Sequence, residues 1–411
     1  MKKVQIKPSD LCDESSIEIS GSKSESNRVL ILKSIYKNIK LSNLSSSDDT
    51  TVLKSALDNL NDNIDIHHAG TAMRFLTAYF STLQGKKFIL TGSKRMKERP
   101  IGVLVEALRK LGFSINYLQK NGYPPLVIQG GVSNKSTVKL RSSVSSQFIS
   151  ALILIGSTFK NGLAIVLEGK IISKPYINLT LNVLKKLGIV HSFRKNIIEI
   201  ENTDRIKYSD YLIESDWSSS SYFYSIVAIN KKTSIKLGSF FRKSFQGDSI
   251  LKQIFINLGV KTNFLNENEI LISPIKNYKR PDKLSFNLID SPDLAQTVAV
   301  TCMALKIHVK ITGLQTLKIK ETDRILALYN ELSKFGAKIK FDDSSIEISP
   351  PTEFNININI DTYNDHRMAL SLAPMGLIVP ISINDPNVIT KSFPAYWNNL
   401  TQLGFDLNFL N

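Results

Sequence analysis

Residues 104–115 read LVEALRKLGFSI, and this stretch shows how the chain is built. Apolar residues recur at helical spacing as far as Leu111, which predicts an amphipathic helix. Gly112 then offers the left-handed backbone conformation that often ends a helix. The residues after it alternate between apolar and polar, as in a half-buried strand. The stretch therefore predicts a helix, a glycine cap and a strand in direct succession.

The same pattern returns at a regular interval. Clear copies lie at residues 181–190, 250–260, 327–339 and 396–407. The helix-ending glycines are Gly112, Gly188, Gly259, Gly336 and Gly404, which are 68 to 77 positions apart. A weaker sixth copy spans residues 52–66, where Asn61 or Asn63 takes the place of the glycine. The period predicts repeated units of about 70 residues, each with helices and short strands.

A second, polar set of predicted helix starts is interleaved with the first. The first of them is S-K-S-E-S-N-R at residues 22–28, and the others lie at residues 70–74, 145–148, 218–223, 292–297 and 364–368. Hydroxyl and carboxylate residues are ordinary helix caps, but the N-terminal ends of helices also attract anions. Because the starts recur in phase, we expect several positive helix ends to meet at a multiply charged anion.

The repeats predict an α/β protein of two lobes. Units of about 70 residues are short for separate domains, so we expect three units in each lobe and a functional site in the cleft between lobes. The midpoint falls near residues 214–216.

Composition limits the classes of function. The 411 residues are 42% hydrophobic, which suits a folded globular protein. The net charge of +16 fits a polyanionic ligand. Because the charge is spread along the chain and no RNA-recognition motif is present, nucleic acid is a less favoured ligand. The first residues lack the apolar run of a signal peptide and no segment has the roughly 20 apolar residues of a membrane span, which predicts a cytoplasmic protein. The two cysteines and five histidines show no metal-ligand spacing, so we expect no metal.

Several charged segments are candidates for chemistry. Residues 316–325 read TLKIKETDRI, which places Glu321 at the mouth of a predicted helix and Arg324 just inside it. Arg74 and Arg99 bring further guanidinium groups, which match phosphate or carboxylate oxygens in a fork. Capped helices with local ion pairs would explain each segment singly.

Nine motifs in order closely resemble those of the enolpyruvyl transferases, and among them the EPSP synthase family. They are GSKSESNR (21–28), AGTAMR (69–74), ERPI (98–101), SSQF (145–148), SKPY (173–176), PD (292–293), KETDR (320–324), NDHRMA (364–369) and TKSFP (390–394). The resemblance covers nearly the whole chain.

The resemblance implies transfer of the enolpyruvyl group of phosphoenolpyruvate to the 5-hydroxyl of shikimate 3-phosphate, with release of phosphate, in chorismate biosynthesis. It implies an inside-out α/β barrel type of fold with six βαβαββ units, three per lobe. One lobe would be residues 20–214, and the other residues 1–19 plus 215–411. It implies no cofactor or metal, and we expect a monomer. Because substrate anions would neutralise the facing helix starts and basic side chains, we also expect the two lobes to close when shikimate 3-phosphate binds.

The resemblance also implies roles for particular residues. Shikimate 3-phosphate would contact Lys23, Ser24, Arg28, Ser145, Ser146, Gln147, Ser173, Tyr176, Asp293 and Lys320. Phosphoenolpyruvate would contact Lys23, Gly70, Arg99, Gln147, Arg324, Arg367 and Lys391. The addition step needs a base and an acid, for which we expect Asp293 and Glu321, with Lys23 assisting the departure of phosphate.

Two other readings remain open. The related enzyme that transfers enolpyruvyl to UDP-N-acetylglucosamine carries a reactive cysteine in the loop before the Arg-Pro pair, whereas residues 91–100 here contain none. A non-catalytic binding protein on the same repeat would be expected to lack an acid, a base or an anion-binding residue, and all of these are present.

Overall fold

The computed structural model describes residues 2–141, 145–169, 171 and 174–410. The chain forms two compact units. The discontinuous unit consists of Met1–Ser20 and Glu214–Asn411, and the continuous unit is Gly21–Ile213.

The strands of the described residues are short, at three to six residues. They are Lys3–Lys7 (β1), Glu14–Ile17 (β2), Lys40–Ser42 (β3), Asn63–Asp65 (β4), Lys87–Thr91 (β5), Ser114–Tyr117 (β6), Leu126–Gln129 (β7), Thr137–Arg141 (β8), Leu163–Glu168 (β9), His191–Arg194 (β10), Ile197–Ile200 (β11), Asp210–Leu212 (β12), Ser234–Gly238 (β13), Val260–Phe264 (β14), Glu269–Pro274 (β15), Lys283–Asn287 (β16), His308–Thr312 (β17), Lys338–Phe341 (β18), Ser345–Ser349 (β19), Ile358–Ile360 (β20), Ile381–Asn384 (β21) and Asp406–Leu410 (β22).

Helices alternate with these strands along the chain. They are Lys23–Ile35 (α1), Asp48–Asp58 (α2), Gly70–Ser81 (α3), Lys94–Lys97 (α4), Gly102–Lys110 (α5), Ser146–Gly156 (α6), Lys174–Lys186 (α7), Trp217–Asn230 (α8), Leu251–Ile256 (α9), Ala295–Ala304 (α10), Arg324–Lys334 (α11), His366–Leu372 (α12) and Tyr396–Leu403 (α13). Short 3-10 helices span Gly247–Ile250, Pro292–Leu294, Leu317–Ile319, Ala373–Leu377 and Pro386–Lys391.

Five four-stranded sheets among the described residues share one plan. In the continuous unit their orders are β4-β5-β7-β6 and β10-β11-β9-β8, and in the discontinuous unit β14-β15-β13-β2, β16-β17-β19-β18 and β20-β21-β1-β22. Each has one parallel pair and two antiparallel pairs. A parallel pair needs a crossover, which a helix such as α3 between β4 and β5 supplies. The predicted α/β class is confirmed.

The sixth sheet is smaller and its strands come from distant parts of the chain. Strand β12 pairs in parallel with β3 as a two-stranded sheet of the continuous unit, while β2 pairs in parallel with β13 in the discontinuous unit. Six equivalent units therefore stay a prediction, because this sheet does not repeat the four-stranded plan.

The glycine caps form as the sequence predicts. Gly112, Gly188, Gly259, Gly336 and Gly404 all have positive φ, from 82° to 102°. The sixth copy differs, since α2 ends at Asp58 and Asn59 caps it with φ −119°. The expected helix-ending role of Asn61 or Asn63 is wrong, because the helix stops before both.

The polar openings also lie at helix starts. Helices α1, α3, α6 and α12 begin within them, α8 begins one residue before the opening at residues 218–223, and the opening at residues 292–297 forms a 3-10 turn that continues into α10. Helices α3, α6, α8 and α10 are buried along nearly their whole length. Because they are buried on nearly every side, these four helices lie in the interior of their units, and their polar first residues stand at the ends of buried helices. No helix of the described residues is long and apolar enough to cross a membrane.

Candidate active site

A buried guanidinium organises the charged cluster of the discontinuous unit. Arg324 is the first residue of α11, where Asp323 caps the helix by accepting from the backbone N–H of Leu326. Its Nη1 donates to Asp293 at 2.9 Å and its Nη2 to Glu321 at 2.9 Å. One arginine thus fixes both carboxylates that the sequence predicts as base and acid.

Asp293 lies among three cations. Besides Arg324, its carboxylate lies 3.2 Å from Arg367 Nη2 and 3.4 Å from Lys320 Nζ. Burial alone would raise the pKa of Asp293, but Arg367, Lys320 and Arg324 outweigh it and hold that pKa well below its usual range. Asp293 is therefore a carboxylate at neutral pH.

Glu321 joins two of the predicted phosphoenolpyruvate-binding residues. One carboxylate oxygen accepts from Arg324, and the other lies 3.0 Å from Lys391 Nζ. Lys391 ends the 3-10 helix Pro386–Lys391 and is buried. Arg324 and Lys391, the cations that we expect to bind an anionic substrate, are therefore both paired with Glu321.

Asp365 fixes the position of Arg324 in the cluster. It was not among the predicted site residues. It is fully buried, accepts from Arg324 Nε at 2.7 Å, and caps α12 by accepting from the backbone N–H of Arg367 at 2.9 Å. Its place two residues before Arg367 in N-D-H-R was visible in the sequence, but its partner in α11 was not.

Asp248 is a second carboxylate that sequence reasoning missed. It lies in the 3-10 helix Gly247–Ile250 and accepts a hydrogen bond from Ser218 Oγ. Burial, with Asp293 nearby, raises the pKa of Asp248 to about 7. Nothing in F-Q-G-D marked it out, because its neighbours in space are distant in sequence.

The continuous unit presents a second set of predicted residues, beginning with Lys23 at the start of α1. Ser22 caps the helix by accepting from the backbone N–H of Glu25 at 3.4 Å. Lys23 Nζ lies 3.5 Å from Asp49 Oδ2, and Asp49 is buried. Asp49 was also missed; it follows the Ser47 cap of α2, which brings it beside α1.

Arg28 is built into the interior of the continuous unit. It donates to Thr180 Oγ1 (2.7 Å), to Ser150 Oγ (3.1 Å) and to the carbonyls of Ser24 (2.7 Å) and Tyr176 (3.3 Å). Burial lowers its pKa to about 10. These bonds place Arg28 as a brace between α1, α6 and α7, next to two predicted ligands of shikimate 3-phosphate.

The start of α6 carries three further predicted residues. Ser145 caps the helix by accepting from the backbone N–H of Gln147 at 3.3 Å, and Ser146 is buried. Gln147 Nε2 reaches Thr71 Oγ1 of α3 at 3.4 Å, so the two helix starts are neighbours. Ser173 lies outside the described residues.

Helix α3 begins with open N–H groups and a nearby arginine. Gly70 is its first residue, and Ala69 before it provides no side-chain cap. The guanidinium of Arg99 lies so close that a Cβ on residue 70 would overlap Arg99 Nη1. An uncapped helix start beside a cation is suited to an anion.

The described residues hold no group of three or more histidines, cysteines, aspartates or glutamates arranged for a metal ion.

The fold defines a class. It matches solved enolpyruvyl transferases: EPSP synthase from Acinetobacter baumannii has a TM-score of 0.80 at 19% identity with full coverage of both chains. The enolpyruvyl transferase NikO from Streptomyces tendae has a TM-score of 0.74 at 13% identity, covering 100% of this chain and 99% of that one. The chain thus has the enolpyruvyl transferase fold.

Sequence comparison narrows the class to one family. The family model described as EPSP synthase (3-phosphoshikimate 1-carboxyvinyltransferase) matches residues 54–400. A 3-phosphoshikimate 1-carboxyvinyltransferase of Bacteroides fragilis is 44% identical over 398 residues, 96% of each chain. One of Vibrio cholerae is 34% identical over 434 residues, 98% of this chain and 100% of the relative. The chain belongs to the EPSP synthase family.

Proposed function

We propose that this protein transfers the enolpyruvyl group of phosphoenolpyruvate to the 5-hydroxyl of shikimate 3-phosphate. Membership of the EPSP synthase family supports the reaction. The observation that carries the assignment of roles is the shared guanidinium: Arg324 holds Asp293 and Glu321 with hydrogen bonds of 2.9 Å. Addition of an alcohol to an enol double bond needs a base and an acid at adjacent positions, and this pair supplies two carboxylates on one cation.

The addition step moves two protons. Asp293 takes the proton of the 5-hydroxyl while that oxygen bonds to C2 of phosphoenolpyruvate, and Glu321 delivers a proton to the C3 methylene. The product is a tetrahedral intermediate that still bears the phosphate. In the elimination step the C2–O bond to phosphate breaks, Glu321 recovers a proton from C3 so that the double bond returns, and the proton taken up by Asp293 passes to the departing phosphate. Lys23 stabilises the departing phosphate.

Electrostatics explains how the resting carboxylate of Asp293 becomes reactive. Asp293 is held ionised by Arg367, Lys320 and Arg324, which also makes it a weak base. When the carboxylate and phosphate of phosphoenolpyruvate compete for Arg324 and Arg367, these cations stabilise Asp293 less and its basicity increases. By drawing Arg324 and Arg367 away from Asp293, the substrate anions therefore make Asp293 a stronger base.

Anion binding is divided between two groups of residues. We assign phosphoenolpyruvate to the cations Arg324, Arg367, Lys391, Arg99 and Lys23, with Gly70 and Gln147. We assign shikimate 3-phosphate to Ser24, Ser145, Ser146, Ser173, Tyr176, Lys320, Asp293, Gln147 and Lys23. Arg28 is assigned to it as well, and it also fixes the Ser24 and Tyr176 backbones by its hydrogen bonds.

Phosphate release tests the proposal directly. The purified protein is mixed with phosphoenolpyruvate and either shikimate 3-phosphate or UDP-N-acetylglucosamine. We expect phosphate to be released when the acceptor is shikimate 3-phosphate and not when it is UDP-N-acetylglucosamine. Release only with the sugar nucleotide, or with neither acceptor, would overturn the proposal. The monomeric state, the cytoplasmic location and the lack of nucleic-acid and membrane partners are parts of the same proposal.

A further inference from the structure

Arg74 connects the segment from Met96 to Pro100, which carries Arg99, to the start of α3 by hydrogen bonds. Its Nη1 donates to the Gly70 carbonyl at 3.1 Å and to Met96 Sδ at 3.3 Å, and its Nη2 donates to the Pro100 carbonyl at 3.0 Å. Because Met96 and Pro100 flank Arg99 on both sides, these contacts fix the backbone from which the Arg99 side chain extends over Gly70.

The charge of Arg74 is buried without an opposite charge beside it. The residue is 3% exposed, and within the described residues no carboxylate forms an ion pair with it and its Nε has no hydrogen-bond partner. Burial lowers the pKa of Arg74 well below its ordinary value, and Arg99 nearby lowers it further. A buried, unpaired cation is costly, and an anion arriving at Arg99 would reduce that cost.

We propose that Arg74 is a positioning residue for the anion that binds at Arg99 and the start of α3. It does not contact the substrate. It holds the Arg99 guanidinium over the open N–H groups of α3, and its positive charge strengthens the attraction that an anion experiences there. The inference rests on the proposed function, which assigns phosphoenolpyruvate to Gly70 and Arg99.

The test compares Arg74→Met, which removes the charge, with Arg74→Lys, which keeps the charge but loses the forked hydrogen bonds. Arg109→Met is the matched control, because Arg109 of the same unit also donates to a backbone carbonyl, that of Ile115 at 2.8 Å, and lies over the Tyr117 ring. Steady-state kinetics with each substrate varied in turn, and thermal unfolding, are measured for all variants.

We expect Arg74→Met to raise the KM for phosphoenolpyruvate about tenfold, the effect of losing one hydrogen-bonded charge. Its KM for shikimate 3-phosphate should be unchanged, Arg74→Lys should be intermediate, and Arg109→Met should leave both KM values as they are. A lower melting temperature with an unchanged KM for phosphoenolpyruvate, or an equal rise in both KM values, would overturn the inference.

Two further outcomes keep this test separate from the proposed function. If Arg74→Met does not fold, Arg74→Lys decides: a selective rise in the KM for phosphoenolpyruvate supports the inference and an unchanged value overturns it. Arg99→Lys is measured alongside. An unchanged KM in that variant contradicts the assignment of phosphoenolpyruvate to Arg99, whereas a raised KM there with no effect at Arg74 contradicts only the positioning role.

Discussion

Asp365 Oδ2 lies 2.7 Å from Arg324 Nε, and the two side chains are 0% and 2% exposed. Removing one partner of such a pair leaves the other charge buried and uncompensated. The pair therefore determines the position of the guanidinium that holds Asp293 and Glu321.

Asp365→Asn tests that dependence. The amide keeps the shape of the side chain but removes the negative charge, so we expect the free energy of unfolding to fall by about 3 to 5 kcal/mol and the KM for phosphoenolpyruvate to rise. Denaturant unfolding and steady-state kinetics measure the two effects. Asp58→Asn breaks the exposed pair with Lys54 (3.0 Å) and serves as the control that should alter neither. Equal behaviour of the two variants would contradict the argument.

Asp293→Asn tests whether Asp293 is the catalytic base, independently of any effect on folding. An amide cannot accept the proton of the 5-hydroxyl, so we expect kcat to fall by at least about 100-fold. Asp290→Asn, an exposed carboxylate three residues earlier, is the control and should keep full activity. Turnover of Asp293→Asn near the rate of the control would refute the assignment of the base, and circular dichroism of both variants shows whether each is folded.

Asp248 should make stability depend on pH. Because its pKa is raised in the folded state to about 7 from 3.8, the folded state holds a proton that the unfolded state releases. Its contribution to the free energy of unfolding is complete below about pH 4 and is lost as the pH rises to about 7. Asp293, whose folded pKa is lowered, contributes fully above its ordinary pKa and loses that contribution only in stronger acid, so the two pH windows are distinct.

Asp248→Asn should remove that pH dependence. The amide is neutral at every pH and still accepts from Ser218, so the decline in stability between pH 4 and 7 should be smaller, and the variant should be more stable than the natural protein above pH 7. The two tryptophans, Trp217 and Trp397, lie in the discontinuous unit and report its unfolding by fluorescence. Parallel pH profiles of the two proteins would show that Asp248 is not the group responsible.

Local signals explain which parts of this structure the sequence could predict. Gly112 and Gly404 end helices because the left-handed conformation costs glycine little, and that preference is visible in one residue. The convergence of three carboxylates on Arg324 could not be predicted from local sequence. Glu321 is three residues away, but Asp293 and Asp365 are 31 and 41 residues away, and their approach depends on the packing of α10, α11 and α12. The pairing of β2 with β13 likewise has no local sequence signal.

Gly70→Ala tests the close approach of Arg99 to α3. A methyl group on residue 70 would overlap Arg99 Nη1, so the guanidinium must move away from the helix start. Since the side chain of Arg99 is long and flexible, the displacement costs little stability but shifts the cation that we assign to phosphoenolpyruvate. We expect a raised KM for phosphoenolpyruvate, an unchanged KM for shikimate 3-phosphate and a melting temperature close to that of the natural protein. Gly131→Ala is the control, because a Cβ there meets no atom within 4 Å. An unchanged KM for phosphoenolpyruvate in Gly70→Ala would mean that this position of Arg99 is not the one that binds the substrate.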